Sequence, residues 1–567
     1  MHLTIGITGH RNLVAEEVPA LKLKVRELFL QLRKEYPDLT LQLVTPLAEG
    51  ADRLAADVAM SLGIELVIVL PMPQADYEED FSSPEAVAQL RESLDGARVI
   101  QLPQVPSDKE TAGVLTDRQL QYAQLGVFVS NHCQILLALW DGKATKEVAG
   151  TAGVVNYHLF SIMPGYSIVK LSPNLLANNE NDLCYHISCS RDQPDGQPEA
   201  GLKPLESAWL TAAHGRSADN QMPTEYATML HRLQDYDIDT SKYLDQIKAE
   251  SFDLLHNAPD LECPPGTMDI GKQHSIADWL AMHFQKRVTG SLIATHSIAV
   301  IIGLVFILYS ELNGLDFLVN VFLLAFLVGY IVFKIGERRD WHRKYLDYRA
   351  LAEGLRVQFY WSLASVIDIR SAEFAYDNFL QKQDVDLGWI RHVMRNLSLT
   401  RSREQEPDPQ WLGWVIREWV GDGDGQTGQL AYYDRKRQEK TRRFKLTTLI
   451  GSLALWIGIM IAVILAVFGG EITDMQRQAL LVMMGIFPLI AGIRDAYSYK
   501  RAEKELINQY RFMHGVYLNA KRMLDTSDDP KFQRRVLKAL GSAALEEDAE
   551  WILMHRERPM EHSGLQA

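Results

Sequence analysis

The sequence predicts an α/β doubly wound parallel sheet at the N-terminus, followed by an α-helical membrane region with four transmembrane helices. Three observations lead there. Apolar, β-branched runs alternate with helical patterns through the first 190 residues, two apolar hairpins lie in the second half, and basic residues cluster at the outer ends of both hairpins.

Taken in order, the runs Leu3 to Thr8, Thr40 to Val44, Glu65 to Leu70, Arg98 to Leu102 and Gln134 to Trp140 read as strands. Helical patterns at Ala15 to Lys34, Ala51 to Leu62, Pro84 to Leu94 and Thr116 to Val129 separate them. The opening Met1-His-Leu-Thr-Ile-Gly-Ile-Thr-Gly9 has no charged stretch ahead of an apolar one, so it is expected to be a first strand and not a signal peptide. Residues 191 to 285 read as a helical linker, with a turn-rich start at Asp192-Gln-Pro-Asp-Gly-Gln-Pro198 and helical periodicity from Pro223 to Phe252.

The hairpins run from about Thr289 to Phe333 and from about Leu446 to Ile493, each apolar stretch near the roughly 20 residues that cross a bilayer. Lys286, Arg287, Lys334, Arg338 and Arg339 flank the first; Arg442, Arg443, Lys445, Arg494, Lys500 and Arg501 flank the second. The positive-inside rule then assigns both termini and the segment between hairpins to the cytoplasm, giving a multi-pass protein of the inner, cytoplasmic membrane. A basic, aromatic helical continuation follows each hairpin, Gly336-Glu-Arg-Arg-Asp-Trp341 onward and Gly492-Ile-Arg-Asp-Ala-Tyr497 onward, which suggests an internal duplication. The expected divisions are 1 to 190, 191 to 285, a first hairpin with its cytoplasmic helix at 286 to 360, a cytoplasmic helical segment at 361 to 440, and the second hairpin with C-terminal helices at 441 to 567.

Composition bounds the function. A net charge of -14 over 567 residues argues against a mainly nucleic-acid-binding surface. Trp411, Trp414, Trp419, Tyr432 and Tyr433 interleave with charges, a pattern better read as the packed face of a helical bundle than as base stacking. The four cysteines, Cys133, Cys184, Cys189 and Cys263, show no metal-ligand spacing and read as reduced thiols.

The chemistry gathers at strand ends, where open α/β sheets bind ligands. Gly9-His10-Arg11-Asn12 follows strand one, Ala48-Glu49-Gly50-Ala51-Asp52-Arg53 leads from strand two into a helix, and Asp141-Gly142 ends strand five ahead of Gly150-Thr151-Ala152-Gly153. Glycines let N–H groups approach an anion, a helix N-terminus adds partial positive charge, and arginine offers a bidentate contact. Any one of these is commonly mere loop geometry.

In this order the motifs, together with Leu70-Pro71, Tyr77, Asp80-Phe81 and Ala138-Leu-Trp-Asp-Gly142, resemble the SLOG superfamily of Rossmann-like nucleotide-binding domains. The resemblance covers about the first 190 residues. It implies a pocket for a nucleotide or nucleotide-derived ligand formed by Gly9, His10, Arg11, Gly50, Asp52, Arg53, Asp141, Gly142, Gly150 and Thr151, with no further cofactor. LOG-type phosphoribohydrolases in that superfamily carry a glutamate shortly after a Gly-x-Gly-Thr segment, whereas Thr151 is followed here by Ala152-Gly-Val-Val-Asn156. That departure favours binding without turnover, with no catalytic residue assigned. Glu147 and Glu49 are nearby in sequence and could stand in for the glutamate in principle; were hydrolysis to occur, Glu49 or Asp141 would be the first suspects.

The membrane half resembles in layout the SLATT two-span modules that accompany SLOG sensors in bacterial conflict systems. The resemblance implies a homo-oligomeric effector that opens a pore when the sensor binds its ligand. His296, inside span one, is the pore candidate, with a neutral imidazole bonded to a neighbouring helix as the plainer reading, and Pro488 is a hinge candidate in span four. A membrane-tethered nucleotide N-glycosidase and a small-molecule transporter are the alternatives; the matching orientation of the two hairpins disfavours the transporter.

Overall fold

The computed structural model describes residues 1–104, 116–144, 149–163, 166, 182–264, 266–312, 314–366, 379–380, 385–399, 409–421 and 427–557. The chain divides into two compact units. The first comprises Met1–Gln246, Cys263–Ile270 and Ile367–Gln405; the second comprises Ile247–Glu262, Gly271–Val366 and Glu406–Ala567.

Unit 1 is built on an eight-stranded sheet. Its strands are β1 (His2–Gly9), β2 (Thr40–Thr45), β3 (Glu65–Leu70), β4 (Arg98–Gln101), β5 (Ile135–Trp140), β6 (Cys184–Ser188), β7 (Ser207–Thr211) and β8 (Gly215–Arg216), in the order β4-β3-β2-β1-β5-β6-β7-β8. All pairings from β4 to β6 are parallel, and β7 and β8 add on antiparallel. The predicted doubly wound sheet is therefore present with two antiparallel strands at one edge. Those strands lie in the stretch expected to be a linker: Ser-Ala-Trp-Leu-Thr is short and lies among turns, so local pattern does not separate it from loop.

The helices are α1 (Val18–Glu35), α2 (Ala51–Ser61), α3 (Gln74–Glu78), α4 (Pro84–Leu94), α5 (Asp117–His132), α6 (Thr151–Phe160) and α7 (Thr224–Lys242). In α1, Leu21, Val25, Leu28, Phe29 and Leu32 recur at helical spacing and are buried, and Arg33 and Lys34 complement the negative end of the helix dipole. A capping box between Thr116 and Gln119 starts α5. The two layers are visible in β1 itself. A Cβ on Gly6 would lie 2.8 Å from Val129 of α5, whereas one on Gly9 would lie 2.3 Å from Ala51 of α2, so alternate residues face helices on opposite sides. Cys133 and Cys184 fill the core on the α5 and α6 side together with Val44, Val67, Val69 and Ala138.

The short helix α8 (Leu244–Glu250) leads towards the membrane region. Between the hairpins, a 3-10 turn at Val385–Leu387 and the helix α12 (Gly388–Ser398) belong to unit 1. Thr4 donates to Asn396 Oδ1 at 3.1 Å, Asn396 donates to the His2 carbonyl at 3.2 Å, and Trp389 packs on Tyr236. The expected single segment at 361 to 440 is thus divided between the two units, because polar side chains on α12 satisfy groups on β1 that lie far away in sequence.

Unit 2 holds α9 (Thr267–Glu311), α10 (Leu318–Arg338), α11 (Trp341–Leu363), α13 (Pro409–Val415), α14 (Gly428–Phe468), α15 (Asp474–Lys500), α16 (Glu503–Leu524) and α17 (Pro530–Glu557). Among the described residues four helices are long and apolar enough to cross a membrane, and no more than 17% of any spanning window is buried. Their apolar surface faces outward, as a lipid solvent requires. The helices meet at small residues: a Cβ on Gly303 would lie 2.5 Å from Leu489, one on Gly458 2.9 Å from Pro488, and one on Gly485 3.1 Å from Ile307.

The repeat pattern extends to the backbone. After α10, Asp340 takes φ 48° and α11 follows with 23 residues; after α15, Ala502 takes φ 46° and α16 follows with 22. A left-handed residue at the same point of each half redirects the chain from the span to the helix beyond it. Trp411, Trp414 and Trp419 are buried in unit 2, where Trp411 donates to the Glu262 carbonyl at 3.3 Å, Trp414 to that of Asn257 at 2.9 Å, and Trp419 stacks on Tyr360.

Candidate functional site

The strand order reverses at β1: the chain builds outward through β2, β3 and β4 on one side and through β5 and β6 on the other. A crevice beyond the carboxyl ends of β1 and β5 follows from that reversal. Gly9, His10 and Arg11 stand at one lip, and Asp141 at the other.

His10 ties the two lips together. Its N–H donates to the Leu139 carbonyl at 3.1 Å, and its Nε2 accepts from the Asp141 N–H at 3.1 Å and sits 3.2 Å from Asp141 Oδ1. Burial pushes the imidazole below its ordinary range, with the Asp141 carboxylate opposing. Asp141, itself buried, also accepts from the Lys143 N–H at 3.1 Å. His10 and Asp141 are therefore the frame of the crevice.

Gly50 is the tightest point. Its φ is +83°, and a Cβ there would lie 2.2 Å from the Arg11 carbonyl oxygen, so the loop after β2 crosses the loop after β1 with no room for a side chain. Ala51 N–H donates to the His10 carbonyl at 3.0 Å and Arg53 N–H to that of Ala48 at 3.1 Å. The start of α2 was expected to offer its amides to an anion; two of them are committed to the chain itself.

Arg11 reaches from the end of β1 to α5. Its Nη2 donates to the Tyr122 hydroxyl at 3.3 Å, and the guanidinium lies 5.5 Å from that ring's centroid. Tyr122 donates to Asp80, which Arg118 also grips at 2.8 Å. Beneath them Asp52 is buried, and its Oδ1 has no hydrogen-bond partner among the described residues. Burial pushes its carboxyl up to about 8, with the Arg11 charge opposing. At neutral pH Asp52 is mostly protonated, which leaves the Arg11 charge uncancelled from that side. Arg118 and Tyr122 escaped the sequence reading, although their spacing of four residues places them on one face of α5.

The remaining candidates separate. Arg53 turns away, bonding Asp57 at 3.1 Å and Ser93 at 2.8 Å, and so straps α2 to α4. Glu49 accepts from the Ser82 hydroxyl at 2.6 Å. Gly142, at φ +82°, is covered by Leu202 and Glu199 and does not open to the crevice. Gly150 caps α6 and Thr151 begins it, both half-buried, and α6 packs on β5 and β1. Glu147 lies outside the described residues. Among the described residues no His, Cys, Asp and Glu group could hold a metal ion.

In unit 2, His296 shares its Nδ1 with the Leu292 carbonyl of its own helix at 2.8 Å, and Tyr497 meets its ring edge-on at 5.3 Å between centroids. Tyr497 lies three residues beyond Arg494, which donates to Thr448 at 2.5 Å. His296 thus sits beside the basic end of span four, bonded to its own helix rather than a neighbouring one.

Comparison with known proteins returned no match among family models, curated proteins or solved structures.

Proposed function

We propose that the chain is a membrane-embedded signalling effector in which unit 1 senses a nucleotide or nucleotide-derived ligand and unit 2 responds through its spans. The observation that carries this reading is the crevice at the strand-order reversal, where Arg11 stands beside a carboxyl, Asp52, whose proton keeps it from repelling an anion. Tyr122, half-buried and backed by the fully buried Tyr77, borders the same place and offers aromatic surface to a base. The sheet, the motif order and the crevice are together compatible with a SLOG-like sensor, and the duplicated hairpins with a SLATT-like output. The chain passes between its two units at residues 246, 262, 270, 366 and 405, so a ligand that prefers one arrangement of unit 1 has several covalent routes by which to bias unit 2. A pore formed by several copies in a bacterial inner membrane, with both termini cytoplasmic, is the output we infer.

Asp52 favours a second reading. A buried carboxyl that keeps its proton near neutrality is suited to general-acid work, which the N-glycosidase alternative needs. Both readings meet one experiment: the full chain in detergent is incubated with a panel of nucleotides while thermal stability and released base are followed. Stabilisation without release supports the sensor, release that Asp52→Asn abolishes supports the hydrolase, and no response to any nucleotide refutes the site. Arg11→Ala is expected to reduce nucleotide affinity at least tenfold, as loss of a charge-assisted pair implies, with membrane insertion unchanged.

A further inference from the structure

A second site lies in unit 2, apart from the crevice, and rests on none of the nucleotide reading. Beyond the ends of the spans, α9, α11, α14, α16 and α17 enclose a cavity of about 410 Å³, within the range of small-ligand pockets.

Its charges are segregated along its length. Lys440, Lys500 and Arg501 line it at the ends of the third and fourth spans. Further from the spans, Arg349 pairs with Asp278 at 3.1 Å, and Arg356 with Glu353 at 2.8 Å, so those arginines are neutralised within the wall. Two carboxyls on α17, Glu547 and Asp548, have no ion pair among the described residues. Asp548 is 6% exposed and its Oδ2 has no hydrogen-bond partner among the described residues, while Glu547 is met by Gln509. Burial and the neighbouring carboxylates push Glu547 up to about 8 and Asp548 up as well, a cost that a cation seated beside them would relieve. Beside them Tyr433 stacks on Tyr517 at 5.4 Å between centroids, with Tyr510 at 6.0 Å from Tyr433.

Carboxyls among aromatic faces receive an ammonium group, and clustered lysines and arginine receive a phosphate. A simple cation would meet the basic end and a simple anion the acidic end; one molecule carrying both charges satisfies the two. On Tyr433 and Lys440, seven residues apart on α14, the two ends are separated by about 10 Å of helix rise, a distance that extended lysine side chains shorten.

We propose that this cavity binds a zwitterionic phosphoester, its ammonium against Asp548 and Glu547 among the tyrosine rings and its phosphate held by Lys440, Lys500 and Arg501. The source is either the head of an ethanolamine phospholipid reached from the adjoining bilayer or free phosphoethanolamine.

The test uses the full chain, stripped of lipid in detergent, with tryptophan fluorescence from Trp419 and Trp551 in the cavity wall as the signal. Mixed micelles containing phosphatidylethanolamine are expected to give a saturable change at least tenfold tighter than micelles containing phosphatidylglycerol, which has the phosphate and no ammonium. Asp548→Asn and Lys440→Gln are each expected to weaken that binding at least fivefold. Free phosphoethanolamine competing fully identifies the soluble source; binding by the diacyl lipid alone identifies the bilayer. Equal affinity for the two lipids, or full competition by inorganic phosphate, overturns the proposal. Should Asp548→Asn lose its melting transition, the half-exposed Lys440→Gln decides: unchanged selectivity there overturns it too.

Discussion

Replacing Asp52 by asparagine should make unit 1 more stable, and by an amount that grows with pH. An unfolded aspartate loses its proton near 3.8, whereas the folded carboxyl holds its proton up to about 8 because burial penalises the charge. Below about 4 both states are protonated and Asp52 costs nothing. Between about 4 and 8 the folded state binds the extra proton, so stability falls as pH rises, by about 1.4 kcal/mol per pH unit. At pH 7 the interval is 3.2 units, which sets an upper bound of about 4 kcal/mol for the cost that asparagine relieves. At pH 5 the bound falls to about 2 kcal/mol. Hydrogen exchange in peptides covering β1 and α2, measured on the full chain in detergent at pH 5, 7 and 9, confines the reading to unit 1. Asp52→Asn is expected to raise protection most at pH 9 and least at pH 5. A difference from the parent that does not vary with pH would falsify the assignment of a buried, neutral carboxyl at the crevice.

Two further outcomes test the packing on which the site and spans depend. Gly50→Ala combines a left-handed backbone with a Cβ 2.2 Å from the Arg11 carbonyl, and should cost at least about 1–3 kcal/mol and loosen β1 and α2 together in hydrogen exchange. In the spans, Gly303→Val drives a side chain into Leu489, and the added change Leu489→Ala should restore part of the lost melting temperature in detergent, a non-additivity of at least about 0.5 kcal/mol expected of residues in contact; strictly additive effects would show that the two helices do not meet there.

Much of this molecule was legible locally. Strands β1 to β5 and the helices α1, α2, α4 and α5 follow from periodicity and turn residues, because each buries a face whose spacing is written in neighbouring positions. The spans follow from length and apolarity alone. The site was legible only in part. Gly9, Arg11, Gly50, Asp52 and Asp141 do meet at the crevice, but Arg53 and Glu49, from the same motif, are drawn off by Ser93 and Ser82, partners on a different segment of chain.

By itself, then, the sequence determined strands β1 to β5, which helices are apolar enough for lipid, and that the two-span unit recurs, since these depend on spacing along the chain; β6, β7 and β8 it did not mark. Tertiary structure alone decided that α12 returns to the first strand through Asn396 and Thr4, that Arg118 and Tyr122 join Arg11, and that Asp52 keeps its proton. It also decided that α11, α14, α16 and α17 enclose a charged cavity beyond the spans. The physical reason is common to all four. Burial and hydrogen bonding are set by groups tens to hundreds of residues away, and a side chain's charge state and direction respond to that surrounding volume, to which its sequence neighbours contribute little.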